Sequence, residues 1–357
     1  MLQRRLSVSL SSIAIVGLFG LWAPQVEAQT VEEFYKGKRL QIVIRTAPGG
    51  SYDQYSRLLA RHLGKHIPGN PTTIPQNMPG GGGLLAINHV ANIAPKDGTV
   101  LTIPDIGLGM YQALGMLGEQ LKADLRQFSF IGNFSTSNMT ALTYHTSNIK
   151  TLEDAKKREV ILGTSGAASI SAQMPTVYNS LLGTKFKLLL GYEGDQSIAM
   201  ERGEIHGRAA LTYAATKITN SQWVKDGKIN FLLQIGLTKE KELPNVPLLL
   251  DLAKDDEQKQ IFEFLSRVSY LGRVLVTGPG VPPERVEALR KAFMAMMRDP
   301  EFIEDAARGN AELSPIDGAT VEKLYLEKLN TDPRVLARLK TAMQPRPEDQ
   351  IQYEKKQ

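Results

Sequence analysis

The chain has 357 residues, with 42 lysines and arginines against 37 aspartates and glutamates, a formal net charge of +5 and no cysteine. Without cysteine, a disulfide framework, a zinc–thiolate site and a lipid-anchored N-terminal cysteine are excluded. The basic residues are scattered, with no stripe interleaved with aromatics, so nucleic acid is not an expected partner, and the length suits two lobes better than one.

In chain order, Arg4 and Arg5 precede an apolar stretch from about Leu6 to Trp22 and then the small-residue site Val26-Glu27-Ala28. That order predicts a signal peptide over residues 1–28, cleaved after Ala28, and a mature chain, 29–357, working in the periplasm. The alternative, a retained membrane anchor, is weaker because the continuously apolar part, Ile13 to Trp22, falls far short of the roughly 20 residues a span needs. Removing the segment lowers the net charge by one. The remaining mild positive field can gather anionic ligands without defining a site.

Leu40-Gln41-Ile42-Val43-Ile44 reads as a strand, Ala47-Pro48-Gly49-Gly50 breaks it, and Tyr52 to His66 reads as a helix burying Leu58, Leu59 and Leu63. The grammar repeats with a strand at Thr72–Ile74, the glycine-rich Pro79 to Gly83, a helix over Leu84–Ile93 and a strand at Val100–Ile103. Such alternation predicts a mostly parallel sheet. A second α/β block begins near Phe128, with strands at Ala141–Tyr144, Val160–Gly163, Lys187–Gly191 and Phe231–Ile235. Thr151 is the expected N-cap of a helix with Asp154 in its first turn, and Thr164 to Ser169 leads into a helix ending at Leu182. After the connector Glu242 to Pro247 come a charged helix from about Asp255 to Arg267 and a strand at Gly272–Thr277. An amphipathic helix, Glu284–Met297, buries Val286, Leu289, Ala292, Phe293 and Met296, and helices near 301–308 and 319–329 precede a polar, loose tail after Pro345.

Two strand-to-helix turns carry the chemistry: Pro48-Gly49-Gly50-Ser51-Tyr52-Asp53 and Thr164-Ser165-Gly166-Ala167-Ala168-Ser169. Each is small and polar and opens a helix whose first N–H groups lack internal partners, an arrangement that binds anions. Facing each other across a cleft, the two turns would clamp a carboxylate, although either alone is also an ordinary βα turn. Gly80 to Gly83 lacks the Lys-Ser or Lys-Thr of a phosphate loop, so a close backbone approach or a flexible turn explains it better than a nucleotide. Gly163-Thr164-Ser165-Gly166-Ala167 is a near miss of a nucleophile elbow, for which His206 and Asp195 would have to serve as base and acid. His62 and His66 share a helix face, yet Arg61 and Lys65 beside them favour a solvated face over a metal site. Neither a metal nor a cofactor is expected.

Taken together and in order, Ala47 to Asp53 with Arg57-Leu58-Leu59-Ala60, Asn77 to Gly83, Ala94 to Thr99, Gly163 to Gly166, Gly191-Tyr192-Glu193-Gly194, Arg202-Gly203-Glu204-Ile205, Leu243 to Pro247 and Pro279 to Val286 resemble the solute receptors of tripartite tricarboxylate transporters, also called TctC-like or Bug-type receptors. The resemblance covers nearly the whole mature chain. It implies a periplasmic-binding-protein-like fold of two α/β lobes joined by crossover strands, with lobe one discontinuous (29–128 plus 238–357) and lobe two over 129–237. It also implies a non-enzymatic receptor, expected to be a monomer, that closes on a small carboxylate and delivers it to membrane permease subunits. A receptor reporting to a membrane kinase is the runner-up, and a secreted hydrolase using Ser165 the third reading. The expected ligand-binding residues are Pro48, Gly49, Gly50, Ser51, Tyr52, Asp53, Thr164, Ser165, Gly166, Ala168, Ser169 and Tyr192, with Asp53 accepting from a ligand hydroxyl, ammonium or water. The chain departs from the family pattern at His206, where an acidic residue is common, at Glu193, where lysine is frequent, and in the charged segment Asp255–Arg267.

Overall fold

The computed structural model describes residues 29–351 apart from 168, 193–195, 329–330 and 345, so the expected signal peptide, the site residue Ala168, and Glu193 and Asp195 lie outside the described residues. The first sheet grows from Arg39–Ile44 (β1), which pairs in parallel with Thr72–Asn77 (β2) and Val100–Thr102 (β3). Side chains alternate along β1, so Leu40, Ile42 and Ile44 join the core under the helix Ser51–His62, while Val43 faces the core of the helix Leu84–Asn92. Ser129–Asn133 (β4) belongs to this sheet as well.

The second sheet contains Met139–Tyr144 (β5), Val160–Thr164 (β6), Phe186–Leu190 (β7), Gly207–Thr212 (β8) and Ile229–Ile235 (β9). Here β6 is parallel to β7 and β8, while β5 runs antiparallel to β8 and β9. Three late strands complete both sheets: Val274–Thr277 (β10) inserts antiparallel between β3 and β4, Ile316–Asp317 (β11) extends β4, and Gln350–Ile351 (β12) adds in parallel to β7. The βαβ units are parallel as their alternation predicts, and the strands that carry the chain between sheets enter antiparallel, so both sheets are mixed.

The chain changes sheets later than expected. Ser129–Asn133 pairs with β10 and β11, so the passage lies between β4 and β5 and not at Phe128. The return falls at Leu271-Gly272-Arg273 and not near Thr238, because the Pro244–Pro247 connector stays against β9, where Gln234 N–H donates to Pro247 O (2.9 Å). The helix Asp256–Tyr270 then packs on the turn Leu249–Leu252 before β10 begins. The two passages lie side by side: Phe134 N–H donates to Arg273 O (3.0 Å) and Arg273 N–H donates to Asn133 Oδ1 (2.9 Å). The tail, expected to be loose, supplies β12, and the helix Pro333–Ala342, absent from the sequence reading, packs on Ile170–Leu182.

Local rules hold at several helix starts. Thr151 and Asp154 form a reciprocal capping box, and Pro283–Met296 buries the five apolar residues its spacing predicts. Phe293 lies over Gly132 of β4, where a Cβ would stand 2.3 Å from the ring, so only glycine fits beneath it. Among the described residues no helix is long and apolar enough to cross a membrane.

Candidate ligand-binding site

A cleft of about 710 Å³, mouth included, opens between the two sheets. Its walls come from residues in or next to strands: Arg45 and Thr46 after β1, Asp105 and Ile106 after β3, Gly163 and Ser165 at the end of β6, Arg208 to Thr212 in β8, and Arg273 before β10. Carboxyl ends of strands are where open α/β sheets place ligands, because loops and helix starts converge there. The lobes already touch across it. A Cβ on Gly166 would stand 2.9 Å from Gly82 N, so the tetraglycine segment serves the close backbone approach its composition suggested. Asp105 Oδ1 accepts from Ile170 N–H at 3.4 Å, joining the loop after β3 to the first turn of the helix Ile170–Leu182.

The electrostatics rest on buried arginines. Arg45 pairs with Asp105 at 3.0 Å, the two side chains 4% and 3% exposed, and it also donates to Gly82 O at 2.6 Å. Arg273, 3% exposed, donates to Ser51 Oγ (2.8 Å) and Gly272 O (2.7 Å). Among the described residues no carboxylate pairs with Arg273, and its Nε has no hydrogen-bond partner. Tyr52 packs against both cations, its ring 4.5 Å from the Arg45 guanidinium carbon and 4.2 Å from that of Arg273. Burial pushes the Tyr52 phenol up, so it stays neutral, and its oxygen accepts from Ile106 N–H (3.3 Å). Arg208 lines the opposite wall and has an interaction of its own within the protein.

Of the residues expected from sequence, Gly50, Ser51, Tyr52, Ser165 and Tyr192 line the cleft. Gly49 makes the turn with φ +97°, and both it and Pro48 are exposed. Asp53 is held inside its own lobe, accepting from Gly49 N–H, Arg57 and Asn77. Burial raises its carboxyl, but the bonds from Arg57, Asn77 and Gly49 outweigh that and keep it below the usual range. Thr164 is buried with its hydroxyl unpartnered, and Ser169 donates to Gly166 O (2.7 Å) and lies 2.7 Å from Ser171 Oγ. Arg45, Asp105, Arg208 and Arg273 were not singled out from the sequence. The available signal was an arginine abutting an apolar strand, as in Ile42-Val43-Ile44-Arg45 and Arg273-Val274-Leu275.

The hydrolase reading gains no support from His206. Its Nδ1 accepts from Ile161 N–H (3.1 Å), near the start of β6, whereas Ser165 follows the end of that strand, about 13 Å away at strand rise. Burial also lowers the His206 pKa, which suits a neutral acceptor. His62 and His66 do not lie on a solvated face; they join an ion-pair seam with the helix Pro300–Arg308. His62 Nε2 lies 2.9 Å from Asp305, His66 Nε2 3.0 Å from Asp299, and Lys65 Nζ 2.6 Å from Asp299. His62, Asp299 and Glu301 come close enough together to suggest a metal, but the Lys65 ammonium already supplies the cation to both acids. Beside the cleft lies an apolar pocket of about 640 Å³, mouth included, that shares Asp105 and Ile106 with it and is lined by Tyr325, whose buried hydroxyl has no partner.

Two mixed α/β sheets with paired crossings and a cleft at their strand ends define the periplasmic-binding-protein fold. Solved structures agree: the periplasmic binding protein BugD has a TM-score of 0.67 at 18% identity, covering 86% of this chain and 98% of its own. Rpa4515 of R. palustris with adipate and MatC (Rpa3494) of Rhodopseudomonas palustris with bound malate each have a TM-score of 0.65 at 17% identity, covering 85% of this chain and 97% and 99% of theirs. At such identities the likeness is one of fold. The model of the tripartite tricarboxylate transporter family receptor matches residues 56–341, and the chain belongs to that family of solute-binding receptors. No curated protein matches it in sequence.

Proposed function

We propose that this receptor captures a small carboxylate in the interlobe cleft and hands it, unchanged, to the permease subunits of a secondary transporter. The observation that carries this reading is Arg273, a guanidinium 3% exposed that lines the cleft and has only neutral partners among the described residues. Buried charges are costly unless paired, so such a cation selects an anion. A carboxylate suits it because the planar fork can donate to both carboxylate oxygens, with Ser51 and the start of the helix Ser51–His62 adding donors. The adipate and malate named with Rpa4515 and MatC are carboxylates too, which supports the class.

In this reading lobe one comprises residues up to β4 together with β10 to the helix Gly318–Lys328, and lobe two comprises β5 to the helix Asp256–Tyr270 together with the C-terminal segment. The lobes hinge at the adjacent passages 134–138 and 271–273. The protein acts in the periplasm after cleavage at Ala28, as a monomer whose lobes are free to close and without catalysis. A thermal-shift screen of residues 29–357 against mono-, di- and tricarboxylates tests this. A ligand at about 100 times its Kd adds roughly 2.7 kcal/mol to stability. A carboxylate that raises the midpoint and is recovered intact supports the reading, and a response to neutral compounds alone, or consumption of the ligand, refutes it.

A further inference from the structure

Asp105 bears on which carboxylate the cleft takes, an inference that rests on the carboxylate reading above. Among the described residues the cleft offers two places where an anion meets a buried guanidinium beside a helix start. One is Arg273 with Ser51, the first residue of the helix Ser51–His62. The other is Arg45 near the helix Ile170–Leu182, whose first N–H points at the loop after β3. At the second place the protein supplies the anion itself. Asp105 Oδ2 pairs with Arg45 at 3.0 Å, and Oδ1 accepts from Gly107 N–H at 2.9 Å and from Ile170 N–H at 3.4 Å. A carboxylate 5% exposed, bridging a cation of one lobe and a helix start of the other, has the contacts a second ligand carboxylate would need.

We propose that Asp105 occupies the second anion position of the cleft, so that this receptor selects a monocarboxylate with an uncharged body over di- and tricarboxylates. The ligand carboxylate lies on Arg273 and Ser51, and its uncharged remainder meets Tyr52, Ile106, Ile170 and Ala209. A second ligand carboxylate reaching toward Arg45 finds that guanidinium already paired with Asp105 and would be buried without a cation of its own, which is costly. Because Arg45 already neutralises Asp105, an ammonium gains little there, and amino acids are not the preferred class either.

The test is calorimetric titration of the mature protein with chain-matched ligands: hexanoate, adipate and 6-aminohexanoate. Hexanoate is expected to bind more tightly than either of the others, by about tenfold or more. Adipate or 6-aminohexanoate binding as tightly as hexanoate overturns the proposal. In Asp105→Ala the preference should reverse, since Arg45 is left exposed to a ligand's second carboxylate. Because that variant leaves a buried cation unpaired and is expected to melt lower, its melting midpoint is also followed with added acetate. Acetate at millimolar concentration should raise the midpoint of Asp105→Ala well beyond its effect on the unsubstituted protein, by refilling the position, and an equal effect on both overturns the proposal. If no carboxylate of any kind binds and Arg273→Met changes nothing, the carboxylate reading itself has failed. If carboxylates bind through Arg273 but adipate matches hexanoate, only the selection by Asp105 has failed.

Discussion

Replacing Arg273 by methionine should separate binding from stability. The substitution keeps an unbranched apolar stem of similar reach and removes the charge. In the folded protein the guanidinium gains hydrogen bonds to Ser51 Oγ and Gly272 O and contacts with the Tyr52 and Tyr55 rings, at 4.2 and 5.6 Å. Hydrogen bonds of a charged group are worth about 1.5–3 kcal/mol each and cation–π contacts about 0.5–2 kcal/mol. Against these stands a desolvation cost of several kcal/mol for a charge with no acidic partner. The opposing contributions are of similar order and partly cancel, so the loss of stability without ligand should be smaller than the loss of binding. Binding loses the full charge-assisted contact, about 2–5 kcal/mol, which is about 30- to 5,000-fold in Kd. Arg273→Lys should fall between, since an ammonium keeps the charge without the planar fork. Urea unfolding without ligand and calorimetric titration with ligand read the two quantities separately. A Kd within about threefold of the unsubstituted value, or a stability loss as large as the binding loss, would refute the argument.

Gly166→Val should weaken ligand binding, because a side chain 2.9 Å from Gly82 N obstructs closure, and should also cost stability, because the backbone at φ +158° disfavours a side chain; small-angle scattering with and without ligand would show the missing compaction. Tyr325→Phe removes a buried hydroxyl that has no partner and should raise stability by about 1 kcal/mol, read as a higher urea midpoint. Asp299 and Asp305 are held down to about 2, chiefly by hydrogen bonds from Lys65 and Arg61 respectively. A depressed folded pKa stabilises the protein above the ordinary carboxyl pKa, and that contribution is lost as pH falls from about 4 toward 2. Asp305→Asn should therefore flatten the pH dependence of the midpoint in that window, and an unchanged slope would rule out the assignment.

What could be read from sequence was local. Glycine and small polar residues mark a strand-to-helix turn wherever they fall, so the loops at Gly50 to Tyr52 and at Ser165 were legible, as were the amphipathic faces. The strand β8 was not, because Arg208-Ala209-Ala210-Leu211 lacks β-branched residues and Ala210 takes φ +58°, a backbone choice made by tertiary packing. The return to the first sheet was hidden for a related reason. Pro244 to Pro247 has the composition of a linker, yet it is bound to the edge of β9 by Gln234. At Asp53, whose place at a helix start suggested a ligand contact, the carboxyl oxygens accept from Arg57 and Asn77, four and 24 residues away.

The arginines of the cleft show why a site made of long-range pairs resists sequence reading and what the fold gains from them. Arg45, Asp105 and Arg273 stand far apart in sequence, and nothing in their neighbours announces that β10 will enter the first sheet beside β3. Once it does, two buried guanidiniums line one cleft. Tyr52 packs against both, so each cation gains a contact with its π system. Its phenol, kept neutral by burial, accepts from Ile106 N–H and still holds a proton to donate. Tyr52 therefore stabilises the buried Arg273 guanidinium where no carboxylate of the described residues does, which is the condition a receptor needs if the ligand is to supply one.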